Sequence, residues 1–452
     1  MKTARPHDLI DMQALRLGMF VHLDGGWMSH PFPRSSFRIT TPAQLETIRS
    51  LGLAQVRWSP EQSEPEPEHV ARVVEMPPVL AANDAGDVGP ELLEAAADRE
   101  TWNAAPGTFD PAAVSAAARS GAERKRRLDS QRQAQATCER QYSVAARACR
   151  QAMLLAPSQP REARAQVESL TGAIVAEMLG AQDLCIRMLT DGAGDKGSMH
   201  AINVGLISLL MGRCFGFGGD ELLDLGVGAM LHDIGKLDLP QRMRHRDDNF
   251  TASESRVYEE HVELGLAQAR RMGLSPGASL IIGQHHEHVD GSGFPGQLNS
   301  DRMTMGARIV ALVNRYDNLC NPQHLAKALT PHESVSLLFA QSRSKFDTSI
   351  LGTFIKMMGV YPPGSAVQLT DDRYGLVISV NSSRPLKPCV LVYDTDTPRD
   401  DALHVDLEAQ PGLGIRRSVK SQQLPPPALA YLAPSARVAY FFEAASAVGE
   451  RA

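Results

Sequence analysis

The sequence has few of the features that mark secreted or membrane-spanning proteins. Only six of its 452 residues are cysteine. None of them forms a C-x-x-C pair, which argues against a zinc ribbon and a disulfide framework. No apolar run reaches the roughly 18 residues that cross a bilayer. Acidic residues interrupt the N-terminal stretch MKTARPHDLIDMQ, where a secretion signal needs continuous apolar sequence. We therefore expect a cytoplasmic protein with no membrane partner.

The chain also has no excess of positive charge. Lysine and arginine number 46 against 52 aspartates and glutamates, which gives a net charge of −6. Because non-specific nucleic-acid binding needs the opposite balance, no nucleic-acid partner is expected. The composition, 43% hydrophobic and 22% charged, is ordinary for a folded protein. At roughly 150 residues per domain, the length predicts about three folded units.

The N-terminal part of the chain divides into three regions. Residues 1–60 mix short apolar stretches with Gly and Pro turn signals, which predicts a small α+β domain. Residues 61–111 are rich in Pro, Glu and Ala and are predicted to be a linker. The Ala- and Arg-rich residues 112–159 predict a helical connector, which is either a long connecting helix or a coil that forms a homodimer.

The rest of the chain is predicted to be a helical domain followed by strands. Residues 160–360 contain successive helical segments, among them VESLTGAIVAEMLGAQDLCIRMLT and SRVYEEHVELGLAQARRMG, joined by short turns. After residue 360 the period changes to strand-like alternation in AVQLTD, YGLVISV and CVLVYD. Residues 361–452 are therefore predicted to be a small β-rich unit. The fold class is multidomain, with an all-α domain at the centre.

The helical region contains a concentration of side chains that ligate metals. They are His200, His232, Asp233, His261, His285 and His286. A single histidine is more often an ordinary helix residue than a ligand, but the adjacent His-Asp and His-His pairs reverse that balance. Imidazole and carboxylate suit Fe, Mn or Zn, and five histidines with one aspartate exceed the needs of one ion. We expect two divalent ions.

Asp233 and Lys236 are the candidate catalytic residues. The two oxygens of Asp233 can contact two cations at once. Water held between such ions becomes hydroxide near neutral pH and attacks phosphorus, while the ions absorb charge on the phosphoryl oxygens. Lys236 follows three residues later, on the same side of a helical turn, where its ammonium can reach a bound phosphate; the alternative is a surface lysine. The cluster predicts phosphoester hydrolysis.

Two segments resemble the signatures of a known family. HDIGK at 232–236 matches the HD-x-x-K signature of HD phosphohydrolases, and HHEHVDGSGFP at 285–295 is similar to the HHE-x-x-DGSGYP stretch of HD-GYP domains. The two motifs stand in the family's order, and the resemblance covers residues 160–360. The segment with GMFVHLDGGW and HPFP is similar to a small domain of unknown function that often precedes HD-GYP domains.

The resemblance implies an all-α HD-type fold, a centre of two or three iron or manganese ions, and hydrolysis of cyclic di-GMP to pGpG or GMP. It implies that the six histidine and aspartate side chains are the ligands and that Lys236 contacts the substrate phosphate. A GYP-like loop would turn tightly beside the pocket and offer a surface to signalling proteins. Its residues are Asp290, Gly291, Gly293, Phe294 and Pro295.

Two departures from the family pattern affect the metal centre. Asn314 stands where the family has a metal-binding aspartate, and its amide oxygen can ligate a metal but brings no negative charge. Lys196 stands where some members have a glutamate that holds a third metal, and a lysine repels a cation. Asn314 therefore predicts weaker or altered metal binding, and Lys196 favours two ions, iron or manganese, over three.

Further departures affect the substrate. Lys327 is kept as a substrate-binding candidate, but Gln323 and Ala326 replace residues of a basic segment that contacts the cyclic dinucleotide in the family. Phe294 replaces the GYP tyrosine and lacks its hydroxyl. Three interpretations stay open: a cyclic di-GMP phosphodiesterase, an enzyme for another cyclic dinucleotide or phosphoester, and a non-catalytic signalling module.

Overall fold

The structure, a computed structural model, describes residues 8–23, 36–49, 55–63, 111–189, 196–341 and 344–444. The chain divides into two units, Met1–Glu123 and Arg124–Ala452. The predicted linker, 61–111, lies outside the described residues except for 61–63 and 111. Among the described helices, none is long and apolar enough to cross a membrane.

The first unit contains a four-stranded antiparallel sheet. Its strands are β1 (Asp8–Asp11), β2 (Phe20–His22), β3 (Ser36–Arg38) and β4 (Gln55–Ser59), and its helix α1 is Pro42–Arg49. The strand order is β1-β4-β2-β3. Val21, Ile39 and Ile48 are fully buried in one hydrophobic cluster. The described residues of this region have the α+β character that the sequence predicts.

The Ala- and Arg-rich segment forms the 45-residue helix α2, Pro111–Leu155. Its C-terminal half packs within the second unit, where Cys138, Tyr142 and Cys149 are buried. Gln131 Nε2 donates a hydrogen bond to the Ala402 carbonyl at 3.1 Å. This face of α2 is therefore covered by the same chain.

Helices form most of the second unit. After α2 they are α3 (Pro160–Gly180), α4 (Lys196–Cys214), α5 (Gly219–Leu231), α6 (Ala252–Glu259), α7 (His261–Met272), α8 (Pro276–Gln284), α9 (Met305–Cys320), α10 (Pro331–Gln341) and α11 (Thr348–Met358). The apolar α4 is buried on almost every side and packs against α5 and α9, and α5 also packs against α8.

The segment SRVYEEHVELGLAQARRMG, predicted as one helix, forms the two helices α6 and α7, which separate at Glu260. Thr251 begins α6 by accepting a hydrogen bond from the Glu254 N–H. At the end of α6, the Nδ1 atom of His261 lies 2.5 Å from the Tyr258 carbonyl oxygen. In a continuous helix, this oxygen would accept a hydrogen bond from a backbone N–H four residues later. His261 thus becomes the first residue of α7.

The C-terminal strands form one sheet with a strand from the helical region. The strands are β5 (Leu184–Met188), β6 (Ala366–Leu369), β7 (Tyr374–Asn381), β8 (Cys389–Val392), β9 (Val405–Asp406), β10 (Ile415–Ser418) and β11 (Tyr440–Ala444), and helix α12 is Pro426–Leu432. The order is β10-β6-β7-β5-β11, with β8 on β7 and β9 on β8. The sequence predicts a β-rich unit from residue 361, whereas these strands belong to the same unit as the helices.

The prediction of a helix over LCIRM was wrong, because α3 ends at Gly180 and Leu184–Met188 is strand β5. A short apolar run does not by itself distinguish a buried helix from a buried strand. Antiparallel pairing with β7 on one side and β11 on the other decides the conformation here. Those partners lie about 200 residues or more further along the chain.

Candidate metal centre

Helix ends bring the six predicted ligands together. His200 lies in the first turns of α4, His232 and Asp233 follow α5, His261 begins α7, and His285 and His286 follow α8. His232, His261 and His285 are at most 1% exposed. Side chains from four helices that are fixed in this way converge with little freedom to move apart.

The two oxygens of Asp233 face different histidines. Oδ2 lies 3.7 Å from His200 Nε2 and 3.5 Å from His232 Nε2, and these two nitrogens are 3.1 Å apart. Oδ1 lies 3.6 Å from both His261 Nε2 and His285 Nε2, which are 3.3 Å apart. The carboxylate therefore stands between two groups of ring nitrogens.

His286 completes the second group. Ligand atoms of Asp233, His261, His285 and His286 lie within 4.8 Å of one another, as do those of His200, His232 and Asp233. The Asp233 Oδ1 and His286 Nε2 atoms are buried without a hydrogen-bond partner, although buried polar atoms normally have one. Buried acceptors without donors, all aimed at one centre, fit a set of metal ligands.

The ring orientation of three histidines is set by their own helices. The Nδ1 atoms of His232, His261 and His285 lie 2.7, 2.5 and 2.7 Å from the carbonyl three residues earlier. A proton on Nδ1, donated to that carbonyl, leaves a lone pair on Nε2. In this tautomer, the facing Nε2 atoms are acceptors that only a cation can bridge.

Burial keeps His232, His261 and His286 uncharged. It lowers the pKa of His232 to about 4 and that of His261 to about 3, and it places the pKa of His286 well below its ordinary value. Burial alone would raise the pKa of Asp233, but Lys236 and His232 hold it well below the usual range. At neutral pH the site thus offers neutral imidazoles and an ionised carboxylate, the forms that bind metal.

Lys236 reaches the cluster through a short 3₁₀ turn, Ile234–Asp238. Its Nζ donates to Asp233 Oδ2 at 2.6 Å and lies 5.3 Å from the centre of the Tyr258 ring. Burial lowers the pKa of Lys236, but the Asp233 carboxylate outweighs burial and raises it above the ordinary value. Lys236 is therefore a partly buried cation beside the candidate ligands and not a freely exposed surface lysine.

The GYP-like loop packs against the candidate ligand His286. The Phe294 ring stacks on His286 with centroids 4.5 Å apart. A Cβ on Gly293 would lie 2.5 Å from the His286 carbonyl oxygen, so only glycine allows the loop to approach this closely. Asp290 Oδ1 accepts from the Ser292 N–H at 3.0 Å. Gly291, with φ +77°, and Pro295 complete the turn.

A cavity of about 570 Å³ opens beside the cluster. His285, His286, Phe294 and Asn314 form part of its wall. Its cationic lining residues are Lys196, Lys236, Arg246, Arg315, Lys327 and Lys345. Among the described residues, two carboxylates, Asp247 and Asp248, line the same cavity. A chain of net charge −6 thus has a locally positive cavity beside its candidate metal centre, which favours an anionic ligand.

Residues 187–350 match the sequence profile of the family described as "HD domain". This chain contains an HD domain. Residues 8–167 match the profile of a "Domain of unknown function (DUF3391)", a span that covers the predicted N-terminal domain, linker and helical connector. The predicted resemblance is thereby confirmed, both for the HD domain and for the domain that precedes it.

The HD domain has relatives of described activity. The chain is 24% identical over 395 residues to the cyclic di-GMP phosphodiesterase PA4108 of Pseudomonas aeruginosa, with 85% of this chain and 84% of the relative covered. It is 28% identical over 155 residues to a 3'3'-cGAMP-specific phosphodiesterase of Vibrio cholerae, with 34% and 30% covered. A solved HDG"Y"P protein from Bdellovibrio bacteriovorus matches with TM-score 0.37 and 17% identity, over 46% of this chain and 67% of that one.

Two of the residues that depart from the family pattern, Lys196 and Gln323, contact each other in the HD domain. Asn314 Oδ1 accepts a hydrogen bond from Asn318 Nδ2 at 2.6 Å. Lys196 Nζ donates to Gln323 Oε1 at 2.6 Å. Burial, with Arg437 and Lys236 nearby, lowers the pKa of Lys196 to about 8. In the cavity lining, Lys196 thus stands where some family members have a glutamate, and Gln323 stands in a segment that is basic in the family.

Lys327 is less available than the sequence suggests. It lies in an exposed turn, and its Nζ forms a 2.5 Å salt bridge with Asp248. The neighbouring His324 lies 3.8 Å from Asp247. Both cavity carboxylates are therefore next to the segment that the family resemblance assigns to substrate binding.

Three further residues of the HD domain support the site and were missed in the sequence. Asp317, 1% exposed, lies 2.6 Å from His200 Nδ1. Glu287, also 1% exposed, accepts hydrogen bonds from the Gly296 and Leu298 N–H groups and so holds the loop. Tyr258 lies under Lys236. The sequence pattern could have indicated Asp317, since this residue stands three residues after Asn314 and therefore on the same face of α9.

Proposed function

We propose that this protein is a metal-dependent cyclic di-GMP phosphodiesterase, which cleaves the substrate to pGpG or GMP. The observation that carries the proposal is the position of Asp233, with one oxygen facing His200 and His232 and the other facing His261 and His285. Such an arrangement suits two divalent ions bridged by one carboxylate.

The chain's own residues account for the ligands. His200, His232 and Asp233 would hold one ion, and Asp233 with His261, His285 and His286 the other; iron or manganese suits this nitrogen-rich set. When bound, the ions supply an activated water and stabilise negative charge on phosphoryl oxygens. Asn314, in the cavity wall, is a further ligand candidate through its amide oxygen.

Lys236 orients the substrate in this proposal. Its ammonium is held by Asp233 at 2.6 Å and lines the cavity, so it can donate to a phosphoryl oxygen without leaving its place. Phe294 stacks on His286 and fixes that ring. The exposed residues Pro295, Gly296 and Gln297 of the same loop are the surface offered to signalling proteins.

The second phosphate of a cyclic dinucleotide needs its own cations. Lys327 is engaged by Asp248. Among the described residues, no hydrogen bond or salt bridge engages the guanidinium of Arg246 or Arg315, and both groups line the cavity. Arginine binds phosphate through two parallel hydrogen bonds. We therefore assign the second phosphate to Arg246 and Arg315.

Exchange of Arg315 for glutamine tests this assignment. Because a charge-assisted hydrogen bond contributes roughly 1.5–3 kcal/mol, Arg315→Gln should raise the KM for cyclic di-GMP about 10- to 100-fold and leave kcat within a few fold. Arg246→Gln should act in the same direction. The matched control Lys327→Gln, which removes an ammonium already paired with Asp248, should change KM less than about threefold. A large effect of Lys327→Gln with none from the two arginine variants would contradict the assignment.

Turnover by the purified full chain tests the function itself. The protein is loaded anaerobically with Fe(II) or with Mn(II), metal content is measured, and cyclic di-GMP and 3'3'-cGAMP are supplied in parallel. Release of pGpG or GMP from cyclic di-GMP is expected. If the metal-loaded protein hydrolyses neither dinucleotide, the enzyme proposal fails and the non-catalytic signalling interpretation replaces it.

A second substrate is favoured by one observation. The Lys196–Gln323 pair changes the mouth of the cavity relative to the family pattern, and one relative of the HD domain is named as 3'3'-cGAMP-specific. Preferential turnover of 3'3'-cGAMP in the parallel assay would select this alternative, with the same metal chemistry and a different base specificity.

A further inference from the structure

His200 is held differently from His232, His261 and His285. The Nδ1 atoms of His232, His261 and His285 bond to carbonyls of their own segment, three residues away. The Nδ1 atom of His200 bonds instead to Asp317 Oδ2 at 2.6 Å, across 117 residues of sequence. The usable tautomer of His200 therefore depends on tertiary packing, whereas that of the others depends on local helix geometry.

Asp317 is itself fixed by two asparagines. Its Oδ1 accepts hydrogen bonds from Asn203 Nδ2 at 2.7 Å and from Asn321 Nδ2 at 2.9 Å. Asn203 is fully buried, and Asn321 and Asp317 are at most 2% exposed. With both donors on Oδ1, the other oxygen is left to His200. A carboxylate oxygen fixed in this way accepts the Nδ1 proton of His200 and leaves the Nε2 lone pair free for a metal ion.

Both asparagines also hold the C-terminal segment of the chain. Asn203 Nδ2 and Asn321 Nδ2 each donate to the Val438 carbonyl at 2.9 Å. The Val438 N–H donates to Asn321 Oδ1 at 2.9 Å, and the Tyr440 N–H donates to Asn203 Oδ1 at 3.0 Å. The side-chain amides of Asn203 and Asn321 thus contact both Asp317 and the backbone that leads into β11.

We infer that the backbone from Val438 to Tyr440, acting through Asn203, Asn321 and Asp317, positions His200 and so completes one of the two metal sites. The inference rests on the proposed metal centre. Loss of this support lets His200 turn or carry its proton on Nε2, which removes its lone pair from the ion. Among the described residues, no hydrogen bond joins His261, His285 or His286 to this segment, so the site that they form would keep its ion. Asn203, Asn321 and Asp317 are positioning residues.

Metal titration of Asn321→Ala tests the inference. The full-length chain is stripped of metal and titrated with Mn(II), and binding is followed by calorimetry and by electron paramagnetic resonance. The wild-type protein should bind two ions as a magnetically coupled pair. Asn321→Ala should bind one ion with unchanged affinity and the second about 10-fold more weakly, because it loosens Asp317, the direct partner of His200, and complete loss of such a partner costs about 10- to 100-fold. The coupled signal should give way to that of isolated Mn(II).

Tyr440→Phe, in strand β11, is the matched control for Asn321→Ala. It removes the hydroxyl that lies 2.8 Å from the Tyr316 hydroxyl but keeps the backbone N–H that bonds to Asn203, and it should bind two ions. Asp317→Asn, which preserves side-chain volume, is the second variant if Asn321→Ala does not fold. Wild-type affinity for both ions in a folded variant, or equal loss in Tyr440→Phe, overturns the inference. Two bound ions without turnover in the wild type overturn the proposed function alone.

Discussion

Asp233→Asn is expected to reduce kcat for cyclic di-GMP on the order of 10³-fold and to remove one of the two ions. The Asp233 carboxylate faces nitrogen atoms of both histidine groups at 3.5–3.7 Å. The asparagine side chain has one oxygen and an amino group that repels a cation, so it cannot bridge. Because metal ions contribute several kcal/mol to stabilisation of the charged transition state, their loss produces an effect of this size.

Asp238→Asn is the control for this prediction. Asp238 ends the same 3₁₀ turn, but its Oδ2 accepts from Gln268 Nε2 at 2.7 Å and is not part of the cluster. This variant should keep both ions and its kcat within a few fold. Steady-state turnover together with metal analysis of the dialysed proteins distinguishes the two variants. Equal turnover of Asp233→Asn and wild type would exclude Asp233 as the bridging ligand.

Gly235→Ala is expected to destabilise the protein by about 3 kcal/mol or more and to reduce kcat at least about 10-fold. A Cβ at this position would lie 2.0 Å from the His261 carbonyl oxygen and 2.3 Å from the Gly265 N. Both are backbone atoms of α7, so a rotamer change cannot relieve the clash and the helix must move. The movement would carry His261 away from Asp233, and small displacements at a reacting centre reduce rates strongly.

Gly172→Ala is the matched control for Gly235→Ala. Gly172 lies inside α3, where a Cβ would meet no atom within 4 Å. Since alanine favours a helix interior by up to about 1 kcal/mol over glycine, this variant should be as stable as the wild type or slightly more stable. Urea unfolding gives the free energies for both. If the two variants have equal stability, the close approach of the turn Ile234–Asp238 to α7 does not constrain the fold.

The candidate centre is assembled where helices end. His232 and His285 immediately follow α5 and α8, and His261 begins α7 because its ring takes the Tyr258 carbonyl. This carbonyl bond both interrupts the helix and orients the ring. The division of one predicted helix into α6 and α7 is therefore part of the construction of the site.

The candidate ligands could be selected from the sequence because metal chemistry restricts the residue types and because the motifs are local. HDIGK at 232–236 and HHEHVDGSGFP at 285–295 each place ligands within a few residues of a helix end. Local backbone geometry then determines the histidine tautomers, through carbonyls three residues away. The HD family could be recognised for the same reason.

Only the tertiary structure decided the features that join distant parts of the chain. Strand β5 forms because β7 and β11 pair with it, and Asp317 meets His200 across 117 residues. Which oxygen of Asp233 faces which histidines, and which arginines share a cavity, likewise depend on how helices pack. Sequence patterns report interactions within one element, whereas contacts between elements depend on packing that no local pattern records.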